Sequence, residues 1–593
     1  MISLKGRTAM LSAGLLFALA GLARADVPAA MDRVPVNAGM VIAVKNMEQT
    51  RTRFEALGKR MNAPVDEVGD DNPLHMAKKL LGTAGLNKTG SMAIAMMPDE
   101  AGKLDFEGEN KDEALVIIVP VSDYSAFAKG MGASDPAGVA SITVEEEPAF
   151  LKDIGGGYAV LGKNKERVQG FEGKGGNATS HNKALGRTGA QIADKSDIIF
   201  VISVAALKDK IDEAVVSMKE EAKDMAEMAG PQGEQLQAFM GMAQGVMEAF
   251  ARDGQVGIVG LGLGEAGVSL DFGAQFKEGS ATAKQMATPG NAGTFLARVP
   301  NKPFLMAFAM DLTNPMIKGF MKDMQKINQN NPMSMGIGDI KNIDTTNGMA
   351  MVMGASKGGI NGGLFANTVT YVSTTDPAGY VKSMSDAMKE INGKEVEGIK
   401  FTSSYTAGEA EVSGVKVDSW TMSIEAGDDN PEAAMLPMMQ QMAFGPDGPA
   451  GMLAPVEGGV VMTMSKNTPL MTDAIAVSKG GQGLSNDPQI KAVQQHLPNG
   501  RMFEMYLGTK SIMEAVNGVM GMFGGGVQLK VPAQVSPVGI AAGVEGGGVD
   551  LRVFVPTDVI DTIAAAVKEA QEAEGEDMEE EPAGEEPGKA PRF

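Results

Sequence analysis

The sequence predicts an α+β protein of two tandem homologous modules, each a mainly antiparallel sheet covered by amphipathic helices. Three observations predict it. Short runs of β-branched and apolar residues are separated by Gly-rich or acidic turns. Longer stretches with apolar residues three and four apart stand between groups of those runs. Five short anchors also recur in the same order in both halves, as copying of one module would leave them.

The first anchor is Arg33-Val34-Pro35 before the apolar run Met40 to Val44, matched by Arg298-Val299-Pro300 before Phe304 to Met310. Asp123 with Phe127, Lys129 and Met131 is matched at identical spacing by Asp376 with Tyr380, Lys382 and Met384. Gly156-Gly157 leads through a strand to Lys163-Asn164, as Gly458-Gly459 leads to Lys466-Asn467. Ile211 to Val215 matches Ile512 to Val516, and Val256-Gly257-Ile258 matches Val538-Gly539-Ile540. The modules expected from this are 26–288 and 289–570.

In chain order, Met40 to Lys45 reads as a strand and Met47 to Met61 as a helix, with Phe54 and Leu57 on its apolar side. Ser91 to Met97 and Ala114 to Val121 are two further strands. Asp123 stands where a helix N-cap is wanted, and Asp376 precedes Pro377 at a first helical position. Ile142 to Glu146, Ala149 to Ile154 and Tyr158 to Leu161 form a small meander. A polar stretch from Gly173 to Ser196, containing His181, reads as a loop before the strand Ile198 to Val204. Leu207 to Met228 is an amphipathic helix, and Pro231 separates it from a second one reaching Ala251. Strands Val256 to Leu263 and Val268 to Phe276 close the module, and the second half repeats the order. Short turns between strands argue for antiparallel pairing with helices on the sheet.

Composition narrows the function. The chain has 593 residues, 52 Lys+Arg against 74 Asp+Glu, a formal charge of −22 and no cysteine. Without cysteine there is no disulfide, zinc-thiolate site, iron-sulfur cluster or thiol nucleophile. The acidic balance lacks the basic footprint that nucleic acid requires. Residues 1–25 read as a signal peptide: Lys5 and Arg7, a short apolar run from Ala9 to Ala23, then Ala23-Arg24-Ala25 as the cleavage site. No later run is long enough for a transmembrane anchor. The expected location is exported, periplasmic or extracellular. Residues 571–593 hold nine acids and two bases and read as a disordered acidic tail.

Familiar site motifs have simpler structural explanations. Gly262-Leu263-Gly264-Glu265-Ala266-Gly267 fits the dinucleotide pattern, but the alternation Val268 to Phe272 makes it a hairpin turn rather than a strand entering a helix. Gly354-Ala355-Ser356-Lys357-Gly358 fits a nucleophile elbow, and Ser356, Asp473 or Asp487, and His496 occur in hydrolase order. The glycines after Ser356, however, lead to another strand. His75, His181 and His496 are scattered, without metal-ligand spacing. Gly69 to Pro73 and Gly427 to Pro431 repeat Gly-Asp-Asp-Asn-Pro; oxygen ligands for calcium are one reading, but Asx-Pro before an apolar helix is more simply a cap and start signal. Among 45 methionines, Met435, Met438, Met439 and Met442 share helical spacing, as do Met225 with Met228 and Met321 with Met324. Core packing explains that spacing first; an adaptable apolar surface or Cu(I) binding are the alternatives.

Val34-Pro35-Val36-Asn37-Ala38-Gly39-Met40-Val41 and Val119-Pro120-Val121-Ser122-Asp123-Tyr124 resemble the segments that open modules in large exported duplicated-module proteins of planctomycete-type bacteria. That resemblance implies an exported α+β protein and carries over no activity and no site residue. The expected function is a non-catalytic exported scaffold or binding protein, taking an apolar ligand or a protein partner through Met-rich helices. The alternatives are a secreted serine hydrolase using Ser356, or Cu(I) binding by the methionine clusters. No catalytic, cofactor-binding or metal residue is assigned.

Overall fold

The computed structural model describes residues 27–62, 80–99, 104, 111–144, 147–228, 244–328, 342–356, 362–396, 398–426, 436–522 and 528–579. The signal-peptide segment, His75 and both Gly-Asp-Asp-Asn-Pro segments lie outside the described residues.

In the first half the strands are β1 (Met40–Val44), β2 (Met92–Met96), β3 (Leu115–Pro120), β4 (Val139–Val144), β5 (Glu147–Gly155), β6 (Tyr158–Gly162), β7 (Ile198–Ser203), β8 (Gly254–Leu263) and β9 (Gly267–Phe276). The second half contributes β10 (Phe304–Asp311), β11 (Thr346–Gly354), β12 (Thr368–Thr374), β13 (Glu395–Val396), β14 (Ile399–Val412), β15 (Val415–Ala426), β16 (Ala450–Val456), β17 (Gly459–Thr463), β18 (Arg501–Leu507), β19 (Val538–Glu545) and β20 (Gly548–Pro556). All of their pairings are antiparallel, in one 20-stranded sheet. From one edge to the other it runs β4-β5-β6-β3-β2-β1-β7-β8-β9, then β20-β19-β18-β10-β11-β12-β17-β16-β15-β14-β13.

The expectation of a separate sheet for each half is therefore corrected. The halves join where β9 pairs β20 along its whole length, from Gly267 opposite Pro556 to Gln275 opposite Gly548. An unpaired edge strand exposes a row of backbone donors and acceptors, and mutual pairing removes two such edges at once. Outward from this seam both halves follow the same chain order for nine strands, and β14 and β13 extend the second half.

The helices are α1 (Met47–Arg60), α2 (Tyr124–Gly130), α3 (Lys165–Gly170), α4 (Ala178–Lys195), α5 (Val204–Met228), α6 (244–253), α7 (Ala281–Gln285), α8 (Gly293–Leu296), α9 (Pro315–Asn328), α10 (Pro377–Ile391), α11 (Leu436–Phe444), α12 (Thr468–Ser478), α13 (Pro488–Gln494), α14 (Thr509–Met522) and α15 (Thr557–Glu579). Local chemistry sets many of their starts. Asn46, Asp123, Asn164, Asp376 and Asn467 each accept a backbone N–H from the first helical turn, satisfying a donor with no partner in the helix. Asp123 and Asp376 start helices after β3 and β12. Asn164 and Asn467 start helices after β6 and β17. Four anchors thus fall on corresponding elements. The fifth slips by one residue: Ile258 is buried with Ile199 on one face, whereas Ile540 faces the other way, opposite Val553.

One face, the covered face, is roofed in the first half by α4. Its buried residues His181, Leu185, Thr188, Gly189, Ile192 and Ala193 recur at helical spacing. The loop expected from Gly173 to Ser196 is thereby corrected, and His181 is helical. The polar composition and two interior glycines masked the pattern; Gly186, at φ +61°, kinks the helix into two pieces. A Cβ on Gly260 or Gly273 would overlap Ile192, so glycine in the strands lets α4 settle onto the sheet. In the second half α8, α12 and α13 roof the same face over Ala307, Val352, Tyr371 and Tyr506.

The opposite face is packed toward the sheet ends, by Phe127 and Leu151 in the first half and by Phe308, Tyr380, Phe401 and Trp420 in the second. Near the seam α15 lies over β9 and β20 and touches α1. This helix runs on to Glu579, so the first nine residues of the expected disordered tail are helical. Residues 580–593 are outside the described set.

Candidate functional site

The pleat sends successive side chains of β9 and β20 to opposite faces, and at the seam the distribution is inverted from the usual one. Asp271, Asp550 and Arg552 point to the covered face and are buried. Leu270, Phe272 and Leu551 point to the other face and are 37%, 45% and 39% exposed. Phe272 stands opposite Leu551 and Leu270 opposite Val553, so these residues form one contiguous apolar band in the middle of the sheet. Val259 on β8, opposite Phe272, and Ile540 on β19, opposite Val553, extend it on both sides as half-buried floor. This open band is the candidate ligand face. Isolated exposed apolar residues are ordinary; a contiguous patch is not.

One end of the band runs into a groove of about 410 Å³ between α1, α15 and the β8–β9 turn. Leu57, Leu263, Val268 and Ile560 give it apolar walls, while Arg53 and Arg60 stand along one side. Farther along α15, Ile563 and Val567 are also exposed. Arg53 bonds the buried carboxylate of Asp197 at 2.6 Å, and Arg60 bonds both oxygens of exposed Asp561 at 2.8 Å.

Beneath the band, Arg552 donates to Asp271 directly across the seam and to the His496 carbonyl at 2.7 Å. Its other nitrogen lies 3.6 Å from Asp550. Asp271 Oδ2 and Asp550 Oδ1 have no donor among the described residues. A proton held between the two carboxyls would supply one. Burial raises both acids, and Asp271 beside it helps carry Asp550 to about 7. Burial pulls Lys195 and His496, which face the same cluster, below their ordinary values.

The hydrolase residues do not assemble into a triad. Ser356 lines a cleft of about 1000 Å³ with Lys302, Asn367, Asp447 and Lys466, and no histidine is among the described residues around it. Asp473 is ion-paired with Lys302, and Asp487 caps α13. His496 stacks on Phe554, ring centres 4.3 Å apart, on the seam strand β20. Residues 357–361 after Ser356 are outside the described set, and 364–367 form a turn into β12. Gly262 to Gly267 close the β8–β9 hairpin, Gly264 and Gly267 exchanging backbone hydrogen bonds.

His181 is a core residue whose Nε2 lies 2.9 Å from the Val34 carbonyl; burial lowers its pKa. Of the methionine set on α11, Met438 and Met439 are exposed and Met435 is outside the described residues, so core packing does not account for that helix. Met321 is buried as expected. Methionines also gather on the strands: Met306 faces Met353, and Met310 faces Met349. Among the described residues no group of three His, Cys, Asp or Glu is placed to hold a metal ion. No described helix is long and apolar enough to cross a membrane.

The fold and this face define a mixed helix-and-strand protein built on a large antiparallel sheet with an open apolar centre. No protein-family model matches the chain, and no curated protein sequence matches it. Two solved structures, described as crystal forms I and III of TP0453, are similar in part. Their TM-scores are 0.21 and 0.22, with 10% and 8% identity. The matches cover 47% and 46% of this chain and 98% and 96% of theirs.

Proposed function

We propose that the chain is an exported, non-catalytic binding protein of two homologous halves that takes an apolar ligand on the open face of its sheet. The observation that carries the reading is the exposure of Leu270, Phe272 and Leu551 side by side at the centre of the molecule. Covering such side chains is worth about 25 cal/mol per Å² of apolar surface, which gives the face a standing affinity for apolar matter. Strand order outward from the seam and the four corresponding anchors support a common origin for the halves. The apolar start at residues 9–23 supports export.

The test is titration of the full chain with a fluorescent alkyl probe, alongside the Phe272→Asp/Leu551→Asp variant. Saturable binding by the parent, weakened about tenfold or more in the variant, is the expected result; tenfold corresponds to roughly 1.4 kcal/mol. Equal binding by both proteins, or none by either, removes the reading.

A further inference from the structure

We infer that the groove between α1 and α15 binds a single alkyl chain ending in an anionic head, with the head on Arg60 and the chain running onto Phe272. This deepens the proposed apolar-ligand function and rests on it.

The floor is continuous. Val268 lines the groove, and Leu270 and Phe272 follow it on the same face of β9 at the two-residue repeat of a strand. α15 carries an apolar row of its own. Ile560 lines the groove, and Ile563 and Val567 follow at three- and four-residue steps along α15, both exposed. An apolar track therefore leads from the groove along β9 to the centre of the seam, with apolar side chains beneath it.

Chemistry and size select the occupant. The backbone of β9 is paired on both sides, with β8 and with β20, so the floor has no strand edge for an extended peptide to join. The groove holds about 410 Å³, within the range of a small-molecule site.

The head follows from the difference between the two arginines. Arg53 is committed to Asp197, a buried carboxylate that also accepts from the Leu263 N–H. Among the described residues Arg60 is paired only with Asp561, and both side chains are about half exposed, 46% and 51%. Such a pair contributes little in water, so Asp561 can return to solvent when another anion takes its place. Asp561 already occupies Arg60 with both oxygens on one nitrogen, which shows that a carboxylate-sized group reaches it. Glu265 also lines the mouth and sets the limit on head charge, favouring one negative charge over two.

The full chain is titrated with palmitate, with hexadecanol and with palmitoyl lysophosphatidic acid, each below its critical micelle concentration. Parent protein, Arg60→Gln and Phe272→Asp are compared. The expected result is palmitate binding about tenfold tighter than hexadecanol, the preference disappearing in Arg60→Gln while hexadecanol binding is retained. Phe272→Asp weakens both. Tighter binding of the lysophospholipid than of palmitate would identify a phospholipid source for the same anionic chemistry; the reverse order identifies a free fatty acid. Equal affinity for palmitate and hexadecanol in the parent, with no effect of Arg60→Gln, overturns the head assignment and leaves the apolar face standing. No binding of any ligand overturns both.

Discussion

Asp271 and Arg552 stand directly opposite each other on β9 and β20 and are hydrogen-bonded across the junction of the two halves. Laying the Gly264–Gly267 turn on the Glu545–Gly548 turn brings Asp271 onto Arg552. The two residues thus hold corresponding places in their halves, and an axis relating those halves would pass between them. An identical pair at that point would bury two like charges; an acid and a base attract instead.

Replacing Arg552 by leucine strands two buried carboxyls and removes the donor to the His496 carbonyl. The expected loss is about 3 to 5 kcal/mol, because breaking a buried pair costs more than removing it whole. The double variant Asp271→Leu/Arg552→Leu should recover part of that loss. Urea denaturation of the parent and the two variants measures it; a double variant less stable than Arg552→Leu contradicts the account.

Asp550 gives the fold a pH dependence of defined sign. Its folded value, near 7, lies above the ordinary 3.8, so between those values the folded state holds more protons than the unfolded chain. Its contribution is present in full below about pH 4 and is lost as pH rises through 7. The Asp550→Asn variant should be the more stable protein at pH 8, by a few kcal/mol, and similar to the parent at about pH 4 and below. Thermal melting at the two pH values reads the difference, and an unchanged pH slope in the variant sinks it.

Gly273 lies under α4, where a Cβ would meet Ile192 and Ile258. Gly273→Ala should cost about 1 to 3 kcal/mol by overpacking, although alanine suits a strand better than glycine. Partial relief by Gly273→Ala/Ile192→Val, followed by denaturant titration, separates crowding from backbone effects. No relief would point away from Ile192.

Asn164 and Asn467 cap α3 and α12 at corresponding points, each accepting from the backbone three residues on at 2.9 and 3.1 Å. Each alanine substitution is expected to cost about 1 kcal/mol. Because the sites are far apart in the strand order, the costs should add in the double variant. A strongly non-additive result would show that the two ends of the sheet communicate.

Most strands and several helix starts were legible because their signals are local. β1, β7 and β12 are rich in β-branched residues, and Asp123, Asp376 and the Asx-type caps stand just before their helices. α4 was not legible, since His181, Thr188 and Gly189 on its buried side look polar or flexible in isolation. The site was least legible. Val268-Ser269-Leu270-Asp271-Phe272 and Val549-Asp550-Leu551-Arg552-Val553 alternate as ordinary half-buried strands do, with the charges expected outside. They are inside because Asp271 of one strand meets Arg552 of the other, a partnership between residues distant in the chain. The exposed apolar face is the other side of that pairing.

The alternation at the junction also fixes alignment. A one-residue slide of β20 along β9 would bring Leu270 or Phe272 opposite Arg552 and leave Asp271 facing a leucine or valine under the roof of helices. Apolar strands can slide over one another at little cost, whereas this arrangement admits one setting. The lock that holds the halves in step is thus the reason their greasy side can stay bare without the sheet losing its place.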